Sequence, residues 1–184
     1  MTARTTKLVS FSPTGTSKTI LKAISRGLMG HAVEFLDIST PKARKPALDL
    51  AESDVLVMAV PVYMGRVPSL LTDWFQALHA SNTPAACVVV YGNRLYDNAL
   101  LELKEILTSR GCVPFAGASF IGEHSFSSTD IPCSPGRPDA ADLAQAKWFG
   151  LQLDKKLRSL SADMRNREVE FPGTYPYGGV TQLW

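Results

Sequence analysis

The sequence predicts an α/β protein, a three-layer sandwich in which helices cover both faces of a five-stranded parallel sheet. Strand-like and helix-like segments alternate along the chain five times, which is typical of a parallel sheet. Residues 55–60 and 85–91 are apolar without a break, and residues 8–12 show no clean alternation of polar and apolar residues, as expected of strands buried on both faces. Five strands favour the order 2-1-3-4-5, in which ligands bind outside the carboxyl ends of the first, third and fourth strands.

Each strand is predicted from a short apolar run. The third, Val55-Leu56-Val57-Met58-Ala59-Val60, contains no polar residue and ends at Pro61, which cannot continue a central strand. The fourth is equally continuous and rich in Val. The predicted strands are residues 8–12, 32–38, 55–60, 85–91 and 115–121.

Helices are predicted where apolar residues recur every three or four positions. The first covers residues 16–29, and the second starts near Pro68 and carries Leu71, Trp74, Phe75 and Leu78. The third covers residues 95–110, with Glu102 exposed, and the last is capped by Asp139. The polar segment 39–51 is predicted to be a loop. Residues 1–170 then form one domain, and the aromatic, Gly- and Pro-rich residues 171–184 form a tail without regular structure. This tail could pack on the domain, form a dimer contact or bind a partner.

The composition is that of an ordinary globular protein, with 45% hydrophobic residues, 20% charged residues and a net charge of +2. The mild charge and the lack of a dense Lys/Arg stripe argue against a nucleic-acid partner. No apolar run approaches the roughly 20 residues of a membrane span, and no signal peptide is visible, so a cytoplasmic location is the default expectation. The three cysteines are too few and too widely spaced for a disulfide framework, a metal site or an iron–sulfur cluster.

A loop rich in hydroxyl groups, Ser12-Pro13-Thr14-Gly15-Thr16-Ser17, connects the first strand to the first helix. Backbone N–H groups at a helix start and short hydroxyl side chains can bind a phosphate without a metal ion. The loop lacks the glycine that a Walker A motif needs before Lys18-Thr19, no Gly-x-Gly-x-x-Gly follows any strand, and no cysteine is present for a phosphatase. The sequence predicts the phosphate site of flavin mononucleotide (FMN); the alternative is a plain capped turn.

The second loop, Pro61-Val62-Tyr63-Met64-Gly65-Arg66-Val67-Pro68, follows the third strand. Gly65 permits a positive φ or a close approach to a ring, and Tyr63 and Met64 offer flat or polarisable contacts. Arg66 beside the pyrimidine edge of a flavin would stabilise the anionic reduced form and raise the reduction potential. The alternative is a solvated surface arginine.

The third loop follows the fourth strand and contains Tyr91, Gly92, Asn93, Arg94, Tyr96 and Asp97. Gly92 and Asn93 could present N–H and amide groups to flavin carbonyls, and Tyr96 could stack on the ring. Asp97 could contact the cofactor, but the favoured interpretation is the cap of the next helix. His124 follows the fifth strand at the same edge and is either a structural histidine or a proton donor to the flavin or substrate.

These motifs together resemble a known family. Ser12-x-Thr14-Gly15-x-Ser17 is similar to the flavodoxin phosphate motif, so the resemblance implies the flavodoxin-like fold and an FMN cofactor. Further segments resemble the flavodoxin domain of flavodoxin–ferredoxin fusion proteins: Pro61-Val62-Tyr63-x-Gly65-Arg66-x-Pro68, Tyr91-Gly92-Asn93-Arg94-x-Tyr96-Asp97, Phe120-Ile121-Gly122-Glu123-His124-Ser125, Gly136-Arg137-Pro138-Asp139 and Pro172-Gly173-x-x-Pro176-Tyr177.

The resemblance implies an FMN protein that passes reducing equivalents between partners. The Cys-x-x-Cys repeats of a ferredoxin module are missing from this sequence, so we expect electrons to leave through a separate redox protein, ferredoxin-like or a reductase, or through a small molecule. The main prediction is an electron-transfer protein. The alternative is an FMN-dependent NAD(P)H oxidoreductase that acts on a quinone, a flavin or a similar acceptor, and a third possibility is an interaction module without cofactor. The sequence leaves open whether the chain is an enzyme, and whether it is a monomer or a homodimer.

Overall fold

The secondary structure alternates between strands and helices, as the sequence predicts. A computed structural model describes residues 5–159 and 169–177. Its strands are β1 (Thr5–Ser10), β2 (Ala32–Asp37), β3 (Leu48–Leu50), β4 (Val55–Pro61), β5 (Leu78–Ala80), β6 (Thr83–Tyr91) and β7 (Cys112–Ile121). Its helices are α1 (Thr16–Ser25), α2 (Thr72–Gln76), α3 (Ala99–Ser109) and α4 (Ala140–Arg158), with a 3₁₀ turn at Ser69–Leu71.

The central sheet has the strand order β2-β1-β4-β6-β7, and every neighbouring pair is parallel. These five are the predicted strands, because β3 and β5 lie outside this sheet, so the predicted order 2-1-3-4-5 is confirmed. The register pairs Ser10 with Ala59 and Pro61 with Val90. The carboxyl ends of β1, β4 and β6 therefore lie side by side at one edge.

The two faces of the sheet have separate cores, which makes the molecule a three-layer sandwich. Alternate residues of β4 point to opposite sides. Leu56, Met58 and Val60 pack with α2 and α3, whereas Val55, Val57 and Ala59 pack with α1 and α4. All six are completely buried, and this burial on both faces explains why the strand is an unbroken apolar run.

Two predicted segments differ from the structure. The predicted loop 39–51 contains β3, which pairs with β5 in a separate two-stranded parallel sheet. The helix predicted from Pro68 is only a 3₁₀ turn followed by the five residues of α2, because Leu78, which has helical spacing to Trp74, belongs to β5 instead. Three-residue strands have too little alternation to be distinguished from loops in a sequence.

Helices α1 and α4 pack closely on one face of the sheet. A Cβ atom added to Gly150 would lie 2.0 Å from the Ile24 carbonyl oxygen, so only glycine permits this approach. The predicted cap of α4 is confirmed: the Asp139 carboxylate accepts from the N–H groups of Ala141 and Asp142 in a capping box. In the part of the chain that the structure describes, no helix has the length and apolar character needed to cross a membrane.

Residues 171–177, which we call the C-terminal strap, cross the outer surface of α3. Phe171 is buried against Gly117 of β7, and the Thr174 N–H donates to Asn98 Oδ1 at 2.9 Å. At the end of the strap, the Tyr177 hydroxyl donates to Glu105 of α3. The strap has no regular structure, as predicted, and it packs on the domain. Residues 178–184 of the predicted tail lie outside the described residues, and the division at residue 170 stays a prediction.

Candidate functional site

The loops that follow β1, β4, β6 and β7 meet at the carboxyl edge of the sheet and enclose a narrow cleft of about 40 Å³. Most of the predicted phosphate loop lines this cleft together with residues from the three other loops. The predicted residues among its lining are Ser12, Pro13, Thr14, Thr16, Ser17, Pro61, Val62, Tyr63, Tyr91, Gly92 and His124. The fold thus brings together residues that are more than 100 positions apart in the sequence.

The phosphate loop is a tight turn into α1. Gly15 has a φ of 88° and its N–H donates to the Ser12 carbonyl at 3.0 Å, so this position favours glycine. The Ser12 hydroxyl accepts the Lys18 N–H at 3.0 Å, and the Gly15 carbonyl accepts the Thr19 N–H at 3.0 Å. Ser12 therefore satisfies a helix N–H that the first turn would otherwise leave unpaired.

Ser17 is the member of the loop with unused hydrogen-bonding capacity. Its side chain is completely buried, yet its hydroxyl has no hydrogen-bond partner among the described residues. The N–H groups of Thr16 and Ser17 also lack an acceptor in the described part of the chain. An unpaired buried hydroxyl costs free energy, and an anion at this point would accept from all three groups. The loop therefore fits a phosphate.

A hydrogen-bond network ties the phosphate loop to the end of β2. The Ser12 N–H donates to Ser39 Oγ at 2.9 Å, the Ser39 N–H donates to Asp37 Oδ1 at 3.0 Å, and Lys18 Nζ lies 2.8 Å from Asp37 Oδ2. Partial burial raises the pKa of Asp37, but the bonds from Lys18 and Ser39 outweigh it and hold this pKa below 3.8. Asp37 and Ser39 were not predicted, although two polar residues at and just after the end of a strand at this edge were a usable signal.

The loop after β4 forms a tight two-residue turn. Tyr63 and Arg66 exchange both backbone hydrogen bonds, at 2.9 and 3.0 Å, while Met64 and Gly65 have φ values of 53° and 78°. Two positive φ values are typical of a type I′ turn. A Cβ on Gly65 would lie 2.5 Å from Asp97 Oδ2, so Asp97 packs against this turn. The favoured interpretation of Asp97 as a helix cap is wrong, because Asn98 is the N-cap of α3.

Arg66 is held by partners within the protein. Its Nε and Nη2 atoms donate to the two carboxylate oxygens of Glu102 at 2.8 and 2.6 Å, and its guanidinium lies 4.7 Å from the centre of the Tyr177 ring. The bonds to Glu102 raise the pKa of Arg66. Glu102 also accepts the Val67 N–H at 2.8 Å. Glu102 is buried rather than exposed as predicted, and the predicted contact of Arg66 with a flavin stays a prediction.

The loop after β6 places aromatic and glycine residues beside the cleft. Tyr91 and Tyr96 form an edge-to-face pair with ring centres 5.5 Å apart, and Asn93 has a φ of 61°. A Cβ on Gly92 would lie 2.3 Å from His124 Cδ2, so glycine is needed for the histidine to pack here. The predicted residues outside the lining of the cleft are Gly15, Met64, Gly65, Arg66, Asn93, Arg94, Tyr96 and Asp97.

His124 has a defined orientation in the cleft. Its Nδ1 atom accepts the Phe126 N–H at 3.1 Å, so the neutral ring carries its proton on Nε2. The Nε2 atom is therefore the donor that His124 can offer to a ligand. Gly122, Glu123 and Ser125 also line the cleft and were not among the predicted site residues. Their position next to His124 at the end of β7 was the signal for them.

The comparisons with known proteins agree with this geometry. A family model described as NADPH-dependent FMN reductase matches residues 9–126, which extend from the last two residues of β1 to beyond β7 and include the loops of the cleft. Solved structures with a similar fold include Flavodoxin 2 from Bacillus cereus (TM-score 0.59, 14% identity, 83% of this chain and 99% of that chain). A flavodoxin from Streptococcus pneumonia TIGR4 has a TM-score of 0.57 and 17% identity, and the match covers 83% of this chain and 99% of that chain.

A third similar structure is a flavodoxin from the domain Archaea, with a TM-score of 0.56 and 14% identity, and the match covers 84% of this chain and 99% of that chain. At these identities the likeness concerns the fold alone, and it confirms the flavodoxin-like architecture. No curated protein matches this chain by sequence.

Proposed function

Because the chain belongs to the NADPH-dependent FMN reductase family, we propose that it is an FMN-dependent oxidoreductase that takes reducing equivalents from NAD(P)H and passes them to a small acceptor. The family assignment also confirms the predicted FMN cofactor and the class of flavin-binding redox proteins. It favours the reductase over the electron carrier that the sequence argument placed first. The acceptor class remains that of quinones, flavins and similar molecules.

The observation that supports this proposal most directly is the phosphate loop. The Ser17 hydroxyl and the N–H groups of Thr16 and Ser17 lack an acceptor among the described residues, whereas the Ser12 hydroxyl and the Gly15 N–H are already paired. We propose that these three donors hold the FMN phosphate. Because the network from Ser12 to Asp37 fixes the loop in advance, little ordering is required when the phosphate binds.

The other cleft residues are proposed to surround the rest of the cofactor. Partial burial raises the pKa of Tyr63, so its hydroxyl stays protonated at neutral pH and can donate. His124 offers its Nε2 proton from the opposite side of the cleft. Bound FMN would supply the capacity to accept a hydride and to release one or two electrons. The protein's part is to bind the cofactor, to orient it and to provide these donors.

A single anaerobic experiment tests the proposal. The purified protein is loaded with FMN, mixed with NADPH or NADH, and followed by the visible absorbance of the flavin. We expect rapid bleaching, and recovery of the absorbance when a quinone is added. If the protein binds FMN but is bleached only by light or by a separate reductase, it is an electron carrier and the reductase proposal is wrong. If it binds no FMN at all, the cofactor assignment itself fails.

A further inference from the structure

A groove much larger than the phosphate cleft runs along the outer side of the sheet, between the segment 63–76 and α3. Its volume is about 680 Å³, within the range of small-molecule sites. On this side of the sheet the described residues place only the five-residue α2 and a 3₁₀ turn opposite α3, which leaves room for the groove. Its floor includes the buried side chains of Val67 and Phe75, and its rim includes the exposed side chains of Met64 and Leu70.

The groove begins beside the candidate flavin site. Tyr63 lines both the groove and the phosphate cleft, so the two cavities share a wall. From there the groove follows α3, which presents Glu102, Ile106 and Ser109 to it at helical spacing. Arg110 lies at the far end, eight residues after Glu102, or roughly 12 Å along the helix axis. This length matches a molecule of about three fused rings.

The charges along the groove are unequal. At the near end, Arg66 is neutralised by Glu102 and fixed further by the ring of Tyr177. At the far end, Arg110 takes part in no salt bridge of the described residues; its Nε donates only to Ser109 Oγ, at 3.4 Å. The groove therefore has apolar surface along its length and one uncompensated cation at its end, which complements an anionic group on an apolar body.

We propose that this groove binds small aromatic molecules that carry an anionic group, with the rings on Val67, Leu70 and Ile106 and the anion on Arg110. Resting on the proposed function, the occupant is the acceptor of the reaction, an acidic quinone. In that reaction the quinone gains two electrons and two protons and becomes a hydroquinone, while NAD(P)H and one proton are consumed and NAD(P)⁺ is released.

The test uses two probes with the same rings, anthraquinone-2-sulfonate and the neutral 2-(hydroxymethyl)anthraquinone. Binding to the oxidised FMN-loaded protein is measured by calorimetry, and KM is measured with NADPH as donor. Arg110→Gln removes the charge and leaves the main chain unchanged, including the Arg110 carbonyl that accepts the Ala80 N–H. We expect Arg110→Gln to weaken sulfonate binding about 10-fold or more and to change binding of the neutral probe less than about 2-fold.

Two further variants complete the design. Lys147→Gln removes a positive charge from the exposed surface of α4, on the opposite side of the sheet, and should change neither affinity. Leu70→Asp adds a negative charge on the exposed rim and should weaken the sulfonate more than the neutral probe. Equal losses for both probes in Arg110→Gln, or equal losses in Lys147→Gln and Arg110→Gln, would overturn the proposal.

The binding and kinetic measurements separate this proposal from the reductase function. If the sulfonate binds with the expected dependence on Arg110 while NADPH fails to reduce the flavin, the groove is supported as an anion-selective site and the reductase function is wrong. If NADPH reduces the flavin and the charge dependence is missing, the groove assignment is wrong and the reductase function stands. If Arg110→Gln raises KM for NADPH instead of the sulfonate, the occupant is not the acceptor.

Discussion

Two neighbouring loops at the same edge of the sheet use their polar groups in opposite ways. The loop after β1 keeps the Ser17 hydroxyl and two N–H groups unpaired, although they are buried or oriented into a cleft. The loop after β4 pairs its charged side chain completely, since Arg66 is bound by Glu102 and by the ring of Tyr177. The difference is that the loop after β1 has donors available for a ligand, whereas the arginine of the loop after β4 already has a carboxylate and an aromatic ring as partners.

The largest expected effect on stability concerns the loop after β4, in which Arg66 is paired with Glu102. Glu102→Ala removes both bonds to Arg66 and leaves the buried Val67 N–H without an acceptor. We expect the free energy of unfolding to fall by about 3 kcal/mol, as is usual when one partner of a largely buried ion pair is lost. Chemical denaturation measures this, with Glu34→Gln as control, because Glu34 belongs to an exposed pair with Lys7. Similar losses in both variants would show that the β4 loop is not held as described.

Arg66→Gln examines the same pair from the other side. The glutamine keeps part of the side chain but not the charge, so Glu102 stays buried with only the Val67 N–H as a donor, and we expect a loss of about 2 kcal/mol. We also expect the reduction potential of bound FMN to change little, because Arg66 is already paired within the protein. Redox titration of the variant decides this point. A clear fall in the potential would support the sequence-based prediction that Arg66 acts on the flavin. It would contradict the expectation that Arg66 serves only the pairing within the protein.

In the loop after β1 we expect a small effect on stability and a large effect on FMN binding. Ser17→Ala removes a buried hydroxyl that has no hydrogen-bond partner among the described residues, so stability should be unchanged or slightly higher. FMN affinity should fall about 10-fold through the loss of a hydrogen bond to a charged group. Thr6→Val is a matched control, because the Thr6 hydroxyl is also fully buried and has no partner in the described part of the chain, but it lies at the start of β1, away from the cleft. Fluorescence titration with FMN would contradict the assignment if both variants lost affinity equally.

The smallest effect concerns the network behind the phosphate loop. The pKa of Asp37 is lower in the folded protein than its usual 3.8, so its contribution to stability is present above that pH and is lost as the pH falls through the folded value. Asp37→Asn should therefore cost about 0.2–1 kcal/mol at neutral pH, and the difference from the wild-type protein should shrink as the pH falls below 3.8. A difference that is constant with pH would mean that the charge of Asp37 plays no part.

The sequence specifies the sheet better than the loops around it. Strands β4 and β6 are predictable because burial on both faces demands continuous apolar residues, and their order follows from the helical connections. The pairing of Arg66 with Glu102 spans 36 residues and has no local signature. The sequence nevertheless contains one sign of this pairing, since Glu102 lies three positions after Ala99 and four before Ile106, on the apolar stripe of α3. A charged residue on such a stripe indicates a buried partner.

Residue types predict that the hydroxyl-rich loop after β1 lies in the cleft, but they do not show which hydroxyls are already paired. Ser12 and Ser17 have the same side chain, yet Ser12 caps an N–H of α1 and Ser17 is left unpaired. That difference follows from the folded conformation of the loop, which residue types alone do not specify. The groove along α3 was not predicted at all, because it results from the early end of α2, where β5 begins.

The C-terminal strap has a consequence for the order in which the protein folds. Phe171 and Tyr177 contact β7, α3 and the turn at Arg66, which are remote from one another in the sequence. Their docking surface exists only after these elements have assembled, so we expect the strap to dock late and to be the first segment to detach. Arg66 would then be paired with Glu102 early and receive the ring of Tyr177 last, which makes hydrogen exchange at Thr174 a marker of the completed fold.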